Sequence, residues 1–214
     1  MAANPAIGQL LELMKGDAPF IVMLVGPNGA GKSTFFQQHL KAAGLPFVNA
    51  DVVAKTLIES GAAPGEETER MAAEMADNKR ATLIARQESF ITESVFSDPV
   101  GAKVQLLREA HNSGITILLI FICVHSAELT ALRVQSRVAA GGHDVPPGKI
   151  AQRYERMRSN VKAALAFADF SLIIDNSSLD CPLMPVAATA KGQVIWTAEK
   201  LPWWAVEVLP KPTG

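Results

Sequence analysis

"LVGPNGAGKSTFF", residues 24–36, joins the end of an apolar run to a glycine-rich loop and the start of a helical pattern. Its core, Gly26, Pro27, Asn28, Gly29, Ala30, Gly31, Lys32 and Ser33, fits G-x-x-x-x-G-K-[ST], and Thr34 follows. Glycines let backbone N–H groups turn inward around phosphate oxygens, and a helix beginning at the lysine adds its positive end. In such a loop Lys32 reaches the β- and γ-phosphates of a nucleotide, and the Ser33 hydroxyl holds Mg²⁺. Residues 26–34 are therefore the candidate nucleotide-binding segment.

The chain alternates on either side of this loop. "PFIVMLV" before it is a continuous apolar run, as expected of a central parallel strand covered on both faces. Residues 6–15 form an amphipathic helix through Ile7, Leu10, Leu11 and Met14. A helix is expected over 32–43, and a short strand in "LPFVNAD" ending at Asn49. Helices over 51–60 and 67–87 flank the breaker "SGAAPGEE", and "SFITES" is a further strand. Residues 99–112 are helical, with Pro99 at a favoured first-turn position.

"GITILLIFICV" is the strongest buried strand, and helices over 126–140 and 150–168 enclose the break "AGGHDVPPGK". "FSLIIDNSS" is the last core strand, and the tail folds as a hairpin over Lys191–Gly192. Strands alternating with helices predict an α/β fold of the P-loop NTPase or kinase-like, three-layer type. Its central sheet is mostly parallel. The expected organisation is a single domain over 1–214, a helical lid at about 133–162, and a C-terminal hairpin and tail at about 183–214.

Bulk properties limit the function. With 214 residues, 49% hydrophobic and 19% charged, the chain is long enough for a sizeable core. A net charge of -1 argues against a general nucleic-acid partner. The run Phe20–Val25 is too short for a bilayer, and the N-terminus carries no export pattern, so no membrane association is expected. Cys123 and Cys181 show no metal spacing, and a reducing cytoplasm is the expected location.

The kind of phosphate chemistry depends on the remaining motifs. The guanine-reading N-K-x-D pattern and the transporter signature "LSGGQ" are both absent. "ITILLIFICV" carries no acid, so a Walker-B aspartate is missing there, unlike in a hydrolytic motor. Small-molecule kinases need instead an acceptor base, a metal site and cations over the γ-phosphate.

Asp51, after the strand in "FVNAD", is the candidate base that takes a proton from an attacking hydroxyl. It is equally placed to cap a helix starting at Val52, and the two roles do not exclude each other. Glu93 and Ser94 in "FITESVFS" face the same rim, where Glu93 could bind acceptor hydroxyls or a metal-bound water. Between Arg133 and Lys162 stand Arg133, Arg137, Lys149, Arg153, Arg156, Arg158 and Lys162. Only Asp144 and Glu155 oppose them. A cationic helix pair broken by Gly-Gly and Pro-Pro suits a lid over a triphosphate, because the arginine fork binds phosphate bidentately. His143 lies in the break as a candidate substrate contact, and Asn176, in the loop after the last core strand, is a candidate for the adenine side.

These pieces together resemble the zeta-toxin-like P-loop kinases. The resemblance rests on "GPNGAGKST", "NAD" at 49–51, "SFITESVFS" at 89–97, "RVQSRVAAGGHDVP" at 133–146, "IAQRYERMRSN" at 150–160 and "DNS" at 175–177. It covers about residues 20–178. It implies transfer of phosphate from ATP or GTP, with Mg²⁺, to a hydroxyl of a small acceptor such as UDP-N-acetylglucosamine. It further implies an antitoxin protein as partner, Lys32 and Ser33 on nucleotide and metal, Asp51 as base and Glu93 on the acceptor. Arg137 and Arg153 would neutralise the moving phosphoryl group, with Arg156 a rival to Arg153. Ser94 stands where many relatives have Thr, and Gln152 where they have Arg. Two alternatives stay open: a non-catalytic nucleotide-dependent binding module, which would need neither Asp51 nor Glu93, and a nucleic-acid end kinase.

Overall fold

The computed structural model describes residues 5–139 and 147–211, with 136–139 and 147–151 described by their backbone. Seven strands form one sheet: β1 (Phe20–Val25), β2 (Phe47–Val48), β3 (Phe90–Ser94), β4 (Thr116–Cys123), β5 (Phe170–Asp175), β6 (Met184–Ala190) and β7 (Gln193–Thr197). Their order is β2-β3-β1-β4-β5-β6-β7. The first five run parallel and the last two antiparallel. The α/β fold with a mostly parallel sheet is thus the observed one.

All six residues of β1 are buried, and β4 is buried from Ile117 onward. Each such side chain contributes about 1.5–3 kcal/mol on leaving water. One face of the sheet packs Val22, Leu24 and Ile120 with Leu10 of α1 (Pro5–Leu13) and with Phe35 and Leu40. The other packs Met23, Phe121 and Ile173 with α4 (Glu66–Ala85), α5 (Ala102–Asn112), α7 (Pro147–Leu165) and α8 (Trp203–Val208). Two further helices are α3 (Ala50–Glu59) and α6 (Ala127–Ala139).

Three expectations shift. The helix over 32–43 begins as α2 (Lys32–Phe35), widens into a π turn at Phe36–Leu40 and tightens into a 3₁₀ turn at Lys41–Ala43. The wider turn accompanies the stacking of Phe36 on Phe47, ring centroids 3.9 Å apart, which fixes β2 to this face. The helix expected from Pro99 starts at Ala102, because Gly101 before it is left-handed (φ 69°) and the Asp98 carboxylate accepts from the Ala102 N–H. The helix expected over 150–168 begins at Pro147, earlier than expected, and ends at Leu165.

The tail forms its hairpin with Lys191 and Gly192 at φ 49° and 76°. It then returns as α8, whose Trp204 is fully buried edge-on to Phe121 with centroids 5.3 Å apart. No helix among the described residues is long and apolar enough to cross a membrane.

Candidate nucleotide and phosphoryl-transfer site

The glycine loop leaves β1 at the carboxyl edge of the sheet and enters α2. Gly26 is irreplaceable on steric grounds: a Cβ there would stand 2.0 Å from the Ile122 carbonyl oxygen of β4. Gly31 combines a left-handed backbone (φ 99°) with Asn176 pressed against it, so a Cβ would meet Nδ2 at 2.5 Å. Asn176 donates from Nδ2 to the Ala30 carbonyl and accepts from the Leu183 N–H. It therefore braces the loop from the β5 side.

Lys32 is 7% exposed and donates from Nζ to the carbonyls of Gly26 and Pro27 at 3.0 and 3.1 Å. Glu93, on β3 beside Leu24 of β1, approaches the same amine at 3.7 Å and lies 3.2 Å from the Ser33 hydroxyl. Its side chain is 8% exposed. β4 carries no acid, whereas β3, the other neighbour of β1, brings Glu93 to the loop. A buried carboxylate beside a serine hydroxyl offers the hard oxygen donors that Mg²⁺ takes, usually with water and substrate phosphates completing its shell.

Asn49 lies buried at the end of β2, and its side chain accepts from the Asp51 N–H at 2.8 Å. It is the N-cap of α3, which starts at Ala50, so the cap expected of Asp51 is supplied by its neighbour. Asp51 sits in the first turn with an exposed side chain. It lines a cavity of about 650 Å³ together with Lys32, Ser33, Thr34, Glu93, Ser94, Arg153 and Arg156. Asn28, Gly29 and Gly31 border the same space. Arg133, on α6, brings its Cβ to 3.1 Å from where a Cβ on Gly29 would be.

The arginine-rich segment divides by helical face. Arg153 and Arg156 border the cavity, whereas Tyr154, Met157 and Val161 are buried in the core. The Tyr154 hydroxyl donates to the Val124 carbonyl at 2.6 Å, and burial, the largest cause, pushes its pKa well above the ordinary tyrosine value. Arg158, counted among the lid cations in the sequence, instead lies between the rings of Tyr154 and Trp203 and pairs with Glu207 of α8. Asn160 donates to the carbonyls of Phe96 and Asp98, tying α7 to the β3–α5 loop. His143 and the Arg137 side chain lie outside the described residues; the Arg137 backbone is part of α6.

Two groups at this site carried too faint a signal in the sequence to be singled out. Arg80 of α4 also borders the cavity, although it is 4% exposed. Lys103 lines it from α5.

Among solved structures, the complex of AvrRxo1-ORF1 with AvrRxo1-ORF2 and sulphate ions is similar over 96% of this chain and 68% of that chain, with TM-score 0.67 and 19% identity. The AvrRxo1-ORF1:-ORF2 complex with ATP matches over 98% and 69%, with TM-score 0.57 and 18% identity. The PezAT chromosomal toxin–antitoxin system of Streptococcus pneumoniae matches over 82% and 78%, with TM-score 0.58 and 16% identity. No curated protein matches the chain. The structural likenesses establish a P-loop kinase-like fold. A family model described as an AAA domain matches residues 21–163, and the chain belongs to that family.

Proposed function

We propose that the protein is a phosphotransferase that moves the γ-phosphate of ATP or GTP to a hydroxyl of a small acceptor, of the nucleotide-sugar kind exemplified by UDP-N-acetylglucosamine. The observation that carries this reading is the shared cavity: Lys32, Ser33, Glu93, Asp51 and Arg153 border one space at the carboxyl ends of β1, β2 and β3. Ligands of open α/β sheets bind at this edge.

In this reading the loop amides and Lys32 hold the phosphate chain. Ser33 and Glu93 would hold Mg²⁺, which would supply charge neutralisation to the phosphate chain. Asp51 accepts the proton of the acceptor hydroxyl, and its freedom from capping leaves the carboxylate available. Arg153, with Arg156 beside it and Arg137 on α6, spreads the charge that develops on the transferring group. Asn176 and Thr34 keep the nucleotide side in shape, while Ser94 and His143 belong to the acceptor side. The resemblance to zeta-toxin-like kinases and the likeness to the PezAT system support a nucleotide-linked acceptor and an antitoxin-type protein partner.

The test is mass spectrometry of a metabolite extract incubated with the protein, ATP and Mg²⁺. A metabolite gaining one phosphoryl group is expected, and its rate of formation should fall about 10²–10⁴-fold with Asp51→Asn. ATP consumption with no phosphorylated product in any extract overturns the reading.

A further inference from the structure

On that reading of the cavity, we propose that Lys103 is a specificity-determining residue that binds an anionic group, phosphate or carboxylate, carried by the acceptor. The cavity does not end at Asp51 and Glu93. It continues along α4 and the β3–α5 loop to a wall made of Asp77, Arg80, Ser97, Asp98, Lys103 and Arg156.

Lys103 is the second residue of α5, a helix of 11 residues. The first turn of a helix carries partial positive charge and disfavours a cation. Lys103 is nevertheless half-buried there, and no ion pair or hydrogen bond joins it to a described residue. Two acids share this wall, and neither pairs with Lys103; the buried Oδ2 of Asp98 has no described partner. Asp77 pairs with Arg80, whose Nη2 lies 2.5 Å from its Oδ1, and Asp98 accepts from the Ala102 N–H.

The other cations of the wall add to the same imbalance. Arg80 donates from Nη1 to the Thr92 hydroxyl, and its buried Nε has no described partner. Arg156 donates from Nε to the Ser97 carbonyl, which holds its guanidinium against the loop. An exposed lysine would have water to solvate it. A half-buried one at the positive end of a helix, beside two arginines, gains most when an anion arrives.

The strand order assigns this anion to the acceptor rather than to the nucleotide. β3, whose carboxyl end leads into the loop before Lys103, lies on one side of β1, whereas Asn176 and the β5 loop that brace the phosphate loop lie on the other. A nucleotide held by the loop thus has its phosphates between these two sides. Lys103 lines the same cavity as Glu93 and Ser94 of β3 and Asp51 of α3.

The experiment uses the full chain saturated with Mg²⁺ and a non-transferable ATP analogue, AMP-PNP, so that the phosphate loop is filled. Pyrophosphate and glutarate are then titrated separately by calorimetry. The loaded protein is expected to bind at least one of them, with affinity reduced about tenfold in Lys103→Gln and restored in Lys103→Arg. Lys103→Met, which keeps the apolar stem, should match Lys103→Gln, and AMP-PNP affinity should be the same in all four proteins. Stronger binding of pyrophosphate assigns a phosphate-bearing acceptor, and stronger binding of glutarate a carboxylate. Equal affinities in the wild type and Lys103→Gln, or no binding of either anion, overturn the proposal. Failure of the kinase reading shows separately, as an extract without a phosphorylated product.

Discussion

Glu93 and Ser33, sixty residues apart in the chain, meet with the carboxylate 3.2 Å from the hydroxyl because β3 lies directly against β1. With Lys32 at 3.7 Å on the other side, the acid is held where the phosphate loop begins its helix. Glu93→Gln keeps the shape and removes the charge. Phosphoryl transfer should fall about 100-fold and the Mg²⁺ concentration for half-maximal rate should rise, because a positioned charge aimed at the transition state is worth about that much. Steady-state rates over a Mg²⁺ series check this. An unchanged Mg²⁺ dependence would return Glu93 to the acceptor side.

Asn49 caps α3, which leaves Asp51 the other of the two roles the sequence left open for it, that of base. Asp51→Asn should reduce transfer by about 10²–10⁴-fold, the usual contribution of a general base, with nucleotide affinity and melting temperature unchanged. Asn49→Ala should instead cost about 1 kcal/mol of stability through the lost cap. Melting curves and rates measured on both variants make the distinction. A loss of stability in Asp51→Asn would mean that the carboxylate supports the fold after all.

Much of this architecture was legible in the sequence because apolar periodicity and glycine spacing are local signals. The run "FIVMLV" and the loop after it specify β1 and its turn without reference to anything distant. What stayed hidden depended on which strands become neighbours. Glu93 was legible as a rim residue, but only the order β2-β3-β1-β4 shows that its strand flanks β1 and brings it to Ser33.

The segment "RYERMRSN" shows the same limit at the level of a single helix. Its positive charges look alike in the sequence, yet helical geometry turns Arg153 and Arg156 to the cavity and Arg158 to Trp203. The partner Trp203 belongs to a tail whose packing had no local signature. Lys103 and Arg80 were equally silent, since an isolated cation on an amphipathic helix ordinarily reads as a solvated one.

The two cysteines should differ sharply in reactivity. Cys123 is fully buried at the end of β4, and burial pushes its thiol up to about 12, outweighing the opposite effect of its contacts with the Tyr154 hydroxyl and the Val124 carbonyl. Cys181 is exposed. A thiol whose folded pKa exceeds its unfolded value stays protonated in the native state after the unfolded chain has ionised. Its contribution to stability is therefore complete below the unfolded pKa of 9.0 and is lost as pH rises toward 12. At pH 8 a disulfide reagent should label one thiol per folded chain rapidly and both after denaturation. Rapid labelling of both in the native protein would mean that β4 is open to solvent.

Arg158 links α7 to α8. It is 11% exposed, sits 4.8 Å from the Trp203 ring centroid and 5.2 Å from that of Tyr154, and pairs with Glu207. Truncation to alanine would strand Glu207, which is half exposed and can recover water, so the loss falls mainly on the stacking and the charge-assisted bond. These together are worth about 2 kcal/mol, or about 4–8 °C in melting temperature for a chain of this size. Because α8 also buries Trp204 against Phe121, the variant should fold but hold α7 less firmly against the sheet. Arg153 and Arg156 lie on the same helix, so the looser anchor should appear as a raised KM for the acceptor with nucleotide affinity retained. Arg158→Lys should recover little, since a compact ammonium stacks poorly between two rings. Calorimetric melting with steady-state kinetics on the two variants checks both halves; a lowered melting temperature with an unchanged KM would limit Arg158 to stability alone.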